Sequence, residues 1–286
     1  MLLAVLFVGN DFVAVKYALE DIPPLVLMPL RFVLAGLVLV SVVGIIERRG
    51  RLKRRDLLPV AGVGVVGITL NHLGYTVGLS LTSGSDAALI FATAPVWGMV
   101  LGILLRVERG SLRGALGVGF ALAGVGLVVY QGVGSPEASL AGDLLVCVSA
   151  FSWGAYAVLS LPLLKRYTPL ALAAYTMLLG GAAAIPFALT GLPGISDSVF
   201  DVDWSAVGVR SWAGAAYSTF LASAFAIAAW QTSVSRMGAN KVLVYLYLVT
   251  LVGVTSSVLL LGEGLGAVKI AGAAVILFGV YVVRRG

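Results

Sequence analysis

Polar and turn-forming positions divide the chain into long apolar runs. These runs fall at 2–19, 24–46, 57–79, 85–105, 112–130, 140–162, 168–190, 212–233, 240–261 and 267–284. Each is close to the roughly 20 residues a helix needs to cross the hydrocarbon core of a bilayer. Strands of a membrane barrel would be shorter and would alternate apolar with polar positions, which these runs do not. The pattern therefore predicts an all-α polytopic membrane protein with ten transmembrane helices. Most connectors are short, as in Glu20-Asp21-Ile22-Pro23-Pro24 and Ser80–Gly84, and the one long polar connector, Gly191–Arg210, carries Asp197, Asp201 and Asp203. The first run is apolar from Met1 onward and has neither a basic leader segment nor a polar-flanked cleavage site, so it reads as a helix rather than a signal peptide.

Composition gives this reading a physical cause. Hydrophobic residues make up 60% of the chain and charged residues 11%, with mean hydropathy +1.05. Soluble domains hold about 45–50% apolar and about 25% charged residues, so lipid must cover the apolar surface a fold of this size cannot hide. The net charge of +6 does not point to nucleic acid, because the basic residues sit in short loops without interleaved aromatics. Cys147, the single cysteine, excludes an internal disulfide and reads as a small buried apolar residue. With one histidine and no zinc-type spacing, neither a metal site nor a cofactor is expected.

The basic residues also set an orientation. Arg48, Arg49, Arg51, Lys53, Arg54 and Arg55 lie between runs 2 and 3. Arg106, Arg109 and Arg113 follow run 4, Lys165 and Arg166 follow run 6, Arg236 and Lys241 flank the junction of runs 8 and 9, and Arg284 and Arg285 end the chain. With ten spans all of these fall on one side, which the positive-inside rule makes cytoplasmic along with both termini.

The chain also resembles itself. Gly9, Pro24 and Gly36 recur 145 positions later as Gly154, Pro169 and Gly181. Glu108, Gly117 and Gly124 recur 155 positions later as Glu263, Gly272 and Gly279. This predicts two five-helix repeats, 1–135 and 136–286, forming one transport domain. Five is odd, so the second repeat enters the membrane from the opposite face. Inverted repeats of this kind recur in secondary transporters that rock around a midplane site.

The order of motifs adds a resemblance. Gly9-Asn10-Asp11-Phe12, Pro23-Pro24 and Arg31-Phe32, then Ala87-Ala88, Ala94-Pro95 and Glu108, then Gly117 and Ala123-Gly124 trace the first half. Gly142-Asp143, Ser152-Trp153, Gly238-Ala239, Gly262-Glu263, Gly272 and Gly279 trace the second. Together they resemble the ten-helix drug/metabolite transporter superfamily, in particular exporters built from two EamA-type repeats. Val8 stands where that family often has Trp, and Thr250 where it has Pro. The resemblance implies export of amino acids, metabolites or drug-like compounds across the cell membrane, proton-linked or facilitated. The implied partners are a small-molecule substrate and membrane lipid, in a monomer or homodimer.

Intramembrane polar and aromatic residues are the candidate binding groups. Asp11 lies near the middle of the first run, where a carboxylate must face a cavity or a partner. It is the candidate for substrate-ammonium binding or proton coupling, unless Lys16 or Arg31 pairs with it structurally. Asn10, His72, Tyr75, Trp97, Trp153, Tyr156 and Tyr245 complete the substrate-binding candidates, each with helix packing as the competing role. Arg31 and Lys16 are candidates for an anionic group, against snorkelling or pairing with Asp86. Glu108 and Glu263 end runs and read as structural carboxylates holding helix ends. An intramembrane enzyme lacks a visible nucleophile–base pair, and a channel lacks a visible filter. A lipid or polyprenyl-carrier flippase of the same fold stays open.

Overall fold

The structure is a computed structural model that describes residues 1–47, 51–105, 112–132, 139–237, 242 and 245–285. Regular structure among these residues is helical apart from an isolated bridge between Leu192 and Ser196. The helical runs are α1 (Leu2–Ala18), α2 (Pro24–Ile46), α3 (Arg54–Leu81), α4 (Gly84–Leu104), α5 (Leu112–Gly132), α6 (Leu140–Leu164), α7 (Pro169–Thr190), α8 (Val209–Met237), α9 (Tyr245–Leu261) and α10 (Ala267–Arg285). Among the described residues, seven helices are long and apolar enough to cross a membrane: α2 to α8. The α9 helix and the Ala267–Gly279 part of α10 are shorter apolar segments. Glu108, Gly238 and Ala239 lie outside the described residues.

Three helices depart from ideal geometry, each next to the bundle centre. In α3, a π-helical stretch, Val65–Leu70, follows Leu57–Gly64. In α8, a second one, Tyr217–Phe225, follows Val209–Ala216. Such wide turns inside α-helices occur often at functional sites. The α4 run breaks at Ala92-Thr93, just ahead of Pro95. Proline there has no N–H to give and its ring crowds the preceding turn.

The helices pack in matched pairs. Along their lengths α2 lies against α7 and α5 against α10, while α1 sits between α8 and α9, and α6 between α3 and α4. Glycines set the closest crossings. A Cβ on Gly36 would stand 2.7 Å from the Leu178 amide nitrogen, and one on Gly181 2.9 Å from that of Val33. On the α5–α10 crossing, a Cβ on Gly124 would meet the Ile276 nitrogen at 2.6 Å, and one on Gly279 the Gly117 oxygen at 2.7 Å. Lipid tails give helices no hydrophobic reason to associate, so close backbone packing of this kind holds such bundles together. Large apolar side chains stay exposed on the outward faces, among them Leu116, Phe120, Leu251, Leu259 and Phe278.

Ties at the helix ends complete the frame. Asp56, at the start of α3, accepts hydrogen bonds from Arg166 at 2.7 Å and the Tyr167 hydroxyl at 2.8 Å. Asp21, between α1 and α2, accepts from the Gly208 amide at 2.9 Å and the Ser211 hydroxyl at 2.6 Å. Those two donors hold its carboxyl below the usual carboxylate range, the Ser211 hydroxyl contributing most.

Candidate functional site

A small cavity lies between helices of both halves of the chain. Helices α1 to α4 contribute Val8, Asp11, Phe12, Arg31, Asn71, His72, Tyr75 and Phe91. From α6, α8 and α9 come Trp153, Ala222, Ala226, Ile227, Trp230 and Leu246. All the charged and hydrogen-bonding wall residues apart from the two tryptophans come from the first half of the chain, while the second half's share is apolar and aromatic.

The polar wall is organised by one ion pair. Arg31 Nη2 lies 3.0 Å from Asp11 Oδ2, and both side chains are buried. The same Nη2 donates to Ser223 Oγ at 3.2 Å, and Ser218 Oγ donates to Asp11 Oδ1. Both serines belong to the π-helical stretch of α8. The pair therefore joins α1, α2 and α8 at one point. Tyr75, packed edge-to-face on Phe12 with ring centroids 5.5 Å apart, neighbours the same carboxylate.

Aromatic rings line the rest. Trp153 packs on Trp230 with centroids 5.7 Å apart and on Phe91 at 6.2 Å. His72 lies 4.1 Å from the Phe32 ring. Several polar atoms here are buried without a hydrogen-bond partner among the described residues: Arg31 Nε and Nη1, both ring nitrogens of His72 and the indole nitrogen of Trp153.

Of the residues singled out from sequence, Asp11, His72, Tyr75 and Trp153 reach the cavity wall. Asn10 does not: one residue on from a wall position turns a helix by about 100°. It donates instead to the Leu6 carbonyl and accepts from Ser256 on α9. Trp97 lies beyond the α4 break and packs on Phe151 of α6, centroids 5.7 Å apart. Tyr156 lays its ring against Gly67, where a side chain would collide, and its hydroxyl meets Thr176 at 3.0 Å. Tyr245 packs half-buried against the core. Glu263 accepts from the Gly84 and Ser85 amides at 2.6 and 2.8 Å, holding the N-terminus of α4. A carboxylate is favoured at such an end by both the free N–H groups and the helix dipole. Asp86 pairs with Lys269 at 3.0 Å, so Arg31 neither snorkels nor pairs with Asp86. Sequence reading passed over Ser218, Ser223 and Trp230. Of these, Trp230 carried a signal, a tryptophan deep inside an apolar run.

A helical bundle of this kind, with apolar outer faces and a central cavity, defines the class of polytopic membrane proteins. The sequence profile of the EamA-like transporter family matches residues 1–130 and 140–285. The chain belongs to that family, and it is a multi-pass protein of the cell membrane. It is similar to a transporter of Archaeoglobus fulgidus, with 28% identity over 99% of this chain and 96% of the relative. A "probable amino-acid metabolite efflux pump" of Salmonella typhimurium is 24% identical over 98% of this chain and 92% of its own length. A "probable terminal-alkyne amino-acid exporter" of Streptantibioticus cattleyicolor is 26% identical over the full chain and 92% of its own. A solved crystal structure shares the fold, with TM-score 0.67 at 18% identity, covering 98% of this chain and 93% of the other.

Proposed function

We propose that this chain is a ten-span secondary exporter of small metabolites, built from two inverted five-helix halves with both termini cytoplasmic, and that the central cavity is its alternating-access site. The observation that carries the proposal is the matched packing. The α1–α9 and α1–α8 contacts correspond to α6–α4 and α6–α3 when each helix is advanced by five, while α2–α7 and α5–α10 map onto themselves. The two π-helical stretches obey the same rule: each follows an eight-residue α segment in corresponding helices, α3 and α8. The recurring glycines Gly36 and Gly181 sit on opposite sides of one crossing. Inverted halves around a midplane cavity are the arrangement by which secondary transporters alternate access.

The helix-end ties support the ten-span partition. Asp56 with Arg166, Asp21 with Gly208, and Glu263 with Gly84 each join two connectors that the basic-residue count assigns to the same side. The names of the efflux-pump relatives favour amino-acid metabolites as cargo. Proton coupling through Asp11 requires that its pair with Arg31 open during the cycle.

Two labelling experiments test this reading in a Cys147→Ser background. A cysteine at Arg51 is expected to react with an impermeant reagent only from the cytoplasmic side, and reaction in intact cells overturns the orientation. A cysteine at Val8, on the cavity wall, is expected to react from either side of vesicles that stay sealed to the reagent. Reaction from one side alone overturns alternating access, and leakage of the reagent indicates a channel.

A further inference from the structure

A second pocket, which shares no lining residue with the central cavity, opens at one end of the bundle with a volume of about 420 Å³. Lys53 of the α2–α3 connector, Arg55, Asp56 and Pro59 of α3, and Arg166 and Tyr167 of the α6–α7 connector line it. Asp56 forms its floor. Both carboxylate oxygens are engaged, Oδ1 by Arg166 at 2.7 Å and Oδ2 by the Tyr167 hydroxyl at 2.8 Å, with Arg55 Nε 3.8 Å from Oδ2. The Tyr167 hydroxyl also accepts from the Lys53 amide at 3.1 Å. The Asp56 side chain is only 3% exposed, whereas those of Arg55 and Arg166 are 74% and 58% exposed. Three cations therefore stand at the rim over one carboxylate that is already used, and the pocket keeps a surplus of positive charge.

That surplus is not needed to hold the helices together. In the proposed inverted arrangement α3 corresponds to α8, and the α6–α7 connector to the α1–α2 connector. The same kind of tie recurs there, with Asp21 accepting from the Gly208 amide and the Ser211 hydroxyl. Arg210, the cation next to this tie, is already engaged, 3.8 Å over the Tyr17 ring and 3.4 Å from Glu20. The fold can thus make the tie without open cations such as Lys53 and Arg55 beside it. At the basic pocket, moreover, apolar surface adjoins the charge. Leu57 and Leu58, between Asp56 and Pro59 in the first turn of α3, are both exposed.

We propose that this pocket holds the phosphate headgroup of an anionic phospholipid of the cytoplasmic leaflet, with Lys53, Arg55 and Arg166 on the phosphate oxygens and Leu57 and Leu58 beside the acyl chains. Guanidinium and ammonium groups make short, charge-assisted hydrogen bonds to phosphate. Basic pockets at the cytoplasmic ends of membrane helices suit anionic headgroups, whereas a zwitterionic lipid brings its own ammonium and gains less. A free phosphate has no use for the adjoining leucines. Bound here, the lipid bridges the α2–α3 and α6–α7 connectors. The choice of leaflet rests on reading this face as cytoplasmic, which the labelling at Arg51 tests by itself.

The test uses the full chain in mild detergent, titrated with phosphatidylglycerol or phosphatidylcholine of matched acyl chains, with bound lipid counted by native mass spectrometry. Phosphatidylglycerol is expected to bind about fivefold or more tightly, the effect of one to two basic groups on an anionic headgroup. Lys53→Gln/Arg55→Gln removes two rim cations and leaves the Asp56 tie in place, and it is expected to bring the two lipids within about twofold. Arg113→Gln/Arg236→Gln removes two cations elsewhere and is expected to keep the preference. All four side chains are exposed, so both variants are expected to fold, and thermal unfolding checks this. Equal binding of the two lipids by the unaltered protein overturns the proposal. Equal loss of preference in both double variants overturns it as well, since overall charge would then be the cause. Displacement of the lipid by an equal concentration of glycerol 3-phosphate makes a soluble phosphate the occupant and overturns the lipid assignment. Binding in detergent does not depend on which face is cytoplasmic, so failure of the pocket and failure of the orientation show separately.

Discussion

Arg31 on α2 and Asp11 on α1 form a buried ion pair, Nη2 to Oδ2 at 3.0 Å, in the wall of the central cavity. Taking two charges out of water is costly, and their mutual attraction offsets that cost only when both remain. Removing one partner is therefore worse than removing both. Arg31→Gln is expected to destabilise the protein by about 3–5 kcal/mol, the range for an uncompensated buried charge, and the Asp11→Asn/Arg31→Gln double variant by clearly less. Denaturation in mild detergent measures both, and equal losses would show that the pair is uncoupled.

The same pair bears on proton coupling. Asp11→Asn protein that folds normally is expected to keep substrate exchange and its response to an imposed pH gradient if the carboxylate stays ionised beside Arg31 throughout the cycle. Proteoliposome transport with and without the gradient measures this. Loss of gradient dependence with exchange retained would instead make Asp11 the proton carrier.

Legibility in the sequence follows the range of the interaction. Span limits come from runs of neighbouring residues. The predicted run 24–46 and the observed Pro24–Ile46 coincide, and 112–130 and 140–162 each fall short of their helices by two residues at the C-terminal end. Helical phase is harder to read. Asn10 and Asp11 are equally polar and adjacent, yet only Asp11 faces the cavity. Which face turns inward is decided by the crossing with α9, and no local pattern carries that. The π-helical stretches Val65–Leu70 and Tyr217–Phe225 were also invisible, because their wide turns depend on packing rather than on residue type. That is why Ser218 and Ser223 escaped notice as partners of the ion pair. Lys269 pairing with Asp86 joins residues from opposite halves of the chain, beyond what spacing can reveal.

Glu263 holds α4 by two charge-assisted hydrogen bonds to the Gly84 and Ser85 amides. Glu263→Ala is expected to cost about 1–3 kcal/mol, the penalty for stranding donors of this kind. Hydrogen exchange at Gly84 and Ser85 is expected to accelerate in this variant while that of α2 stays unchanged. Unaltered exchange at both amides would show that the carboxylate is dispensable there.

Gly279 on α10 leaves no room for a side chain, since a Cβ there would stand 2.7 Å from the Gly117 oxygen. Gly279→Leu is expected to separate α5 from α10 and to destabilise the protein by about 1–3 kcal/mol or more, the cost of overpacking. Gly119, around which a Cβ would meet no other atom within 4 Å, is the matched control on the partner helix α5, and Gly119→Leu is expected to be tolerated. Equal thermal stability of the two variants would show that the crossing is not close-packed in the membrane.

The cavity draws its charged side chains from the first half of the chain and a purely apolar and aromatic share from the second. For protein engineering this separates two libraries. Varying Ala222, Ala226, Ile227, Trp230 and Leu246 among apolar residues reshapes the chamber and keeps the Asp11–Arg31 pair, so its shape can be altered apart from its charge. Randomising around Asp11 and Arg31 changes the charge of the chamber, and it risks the fold with every clone.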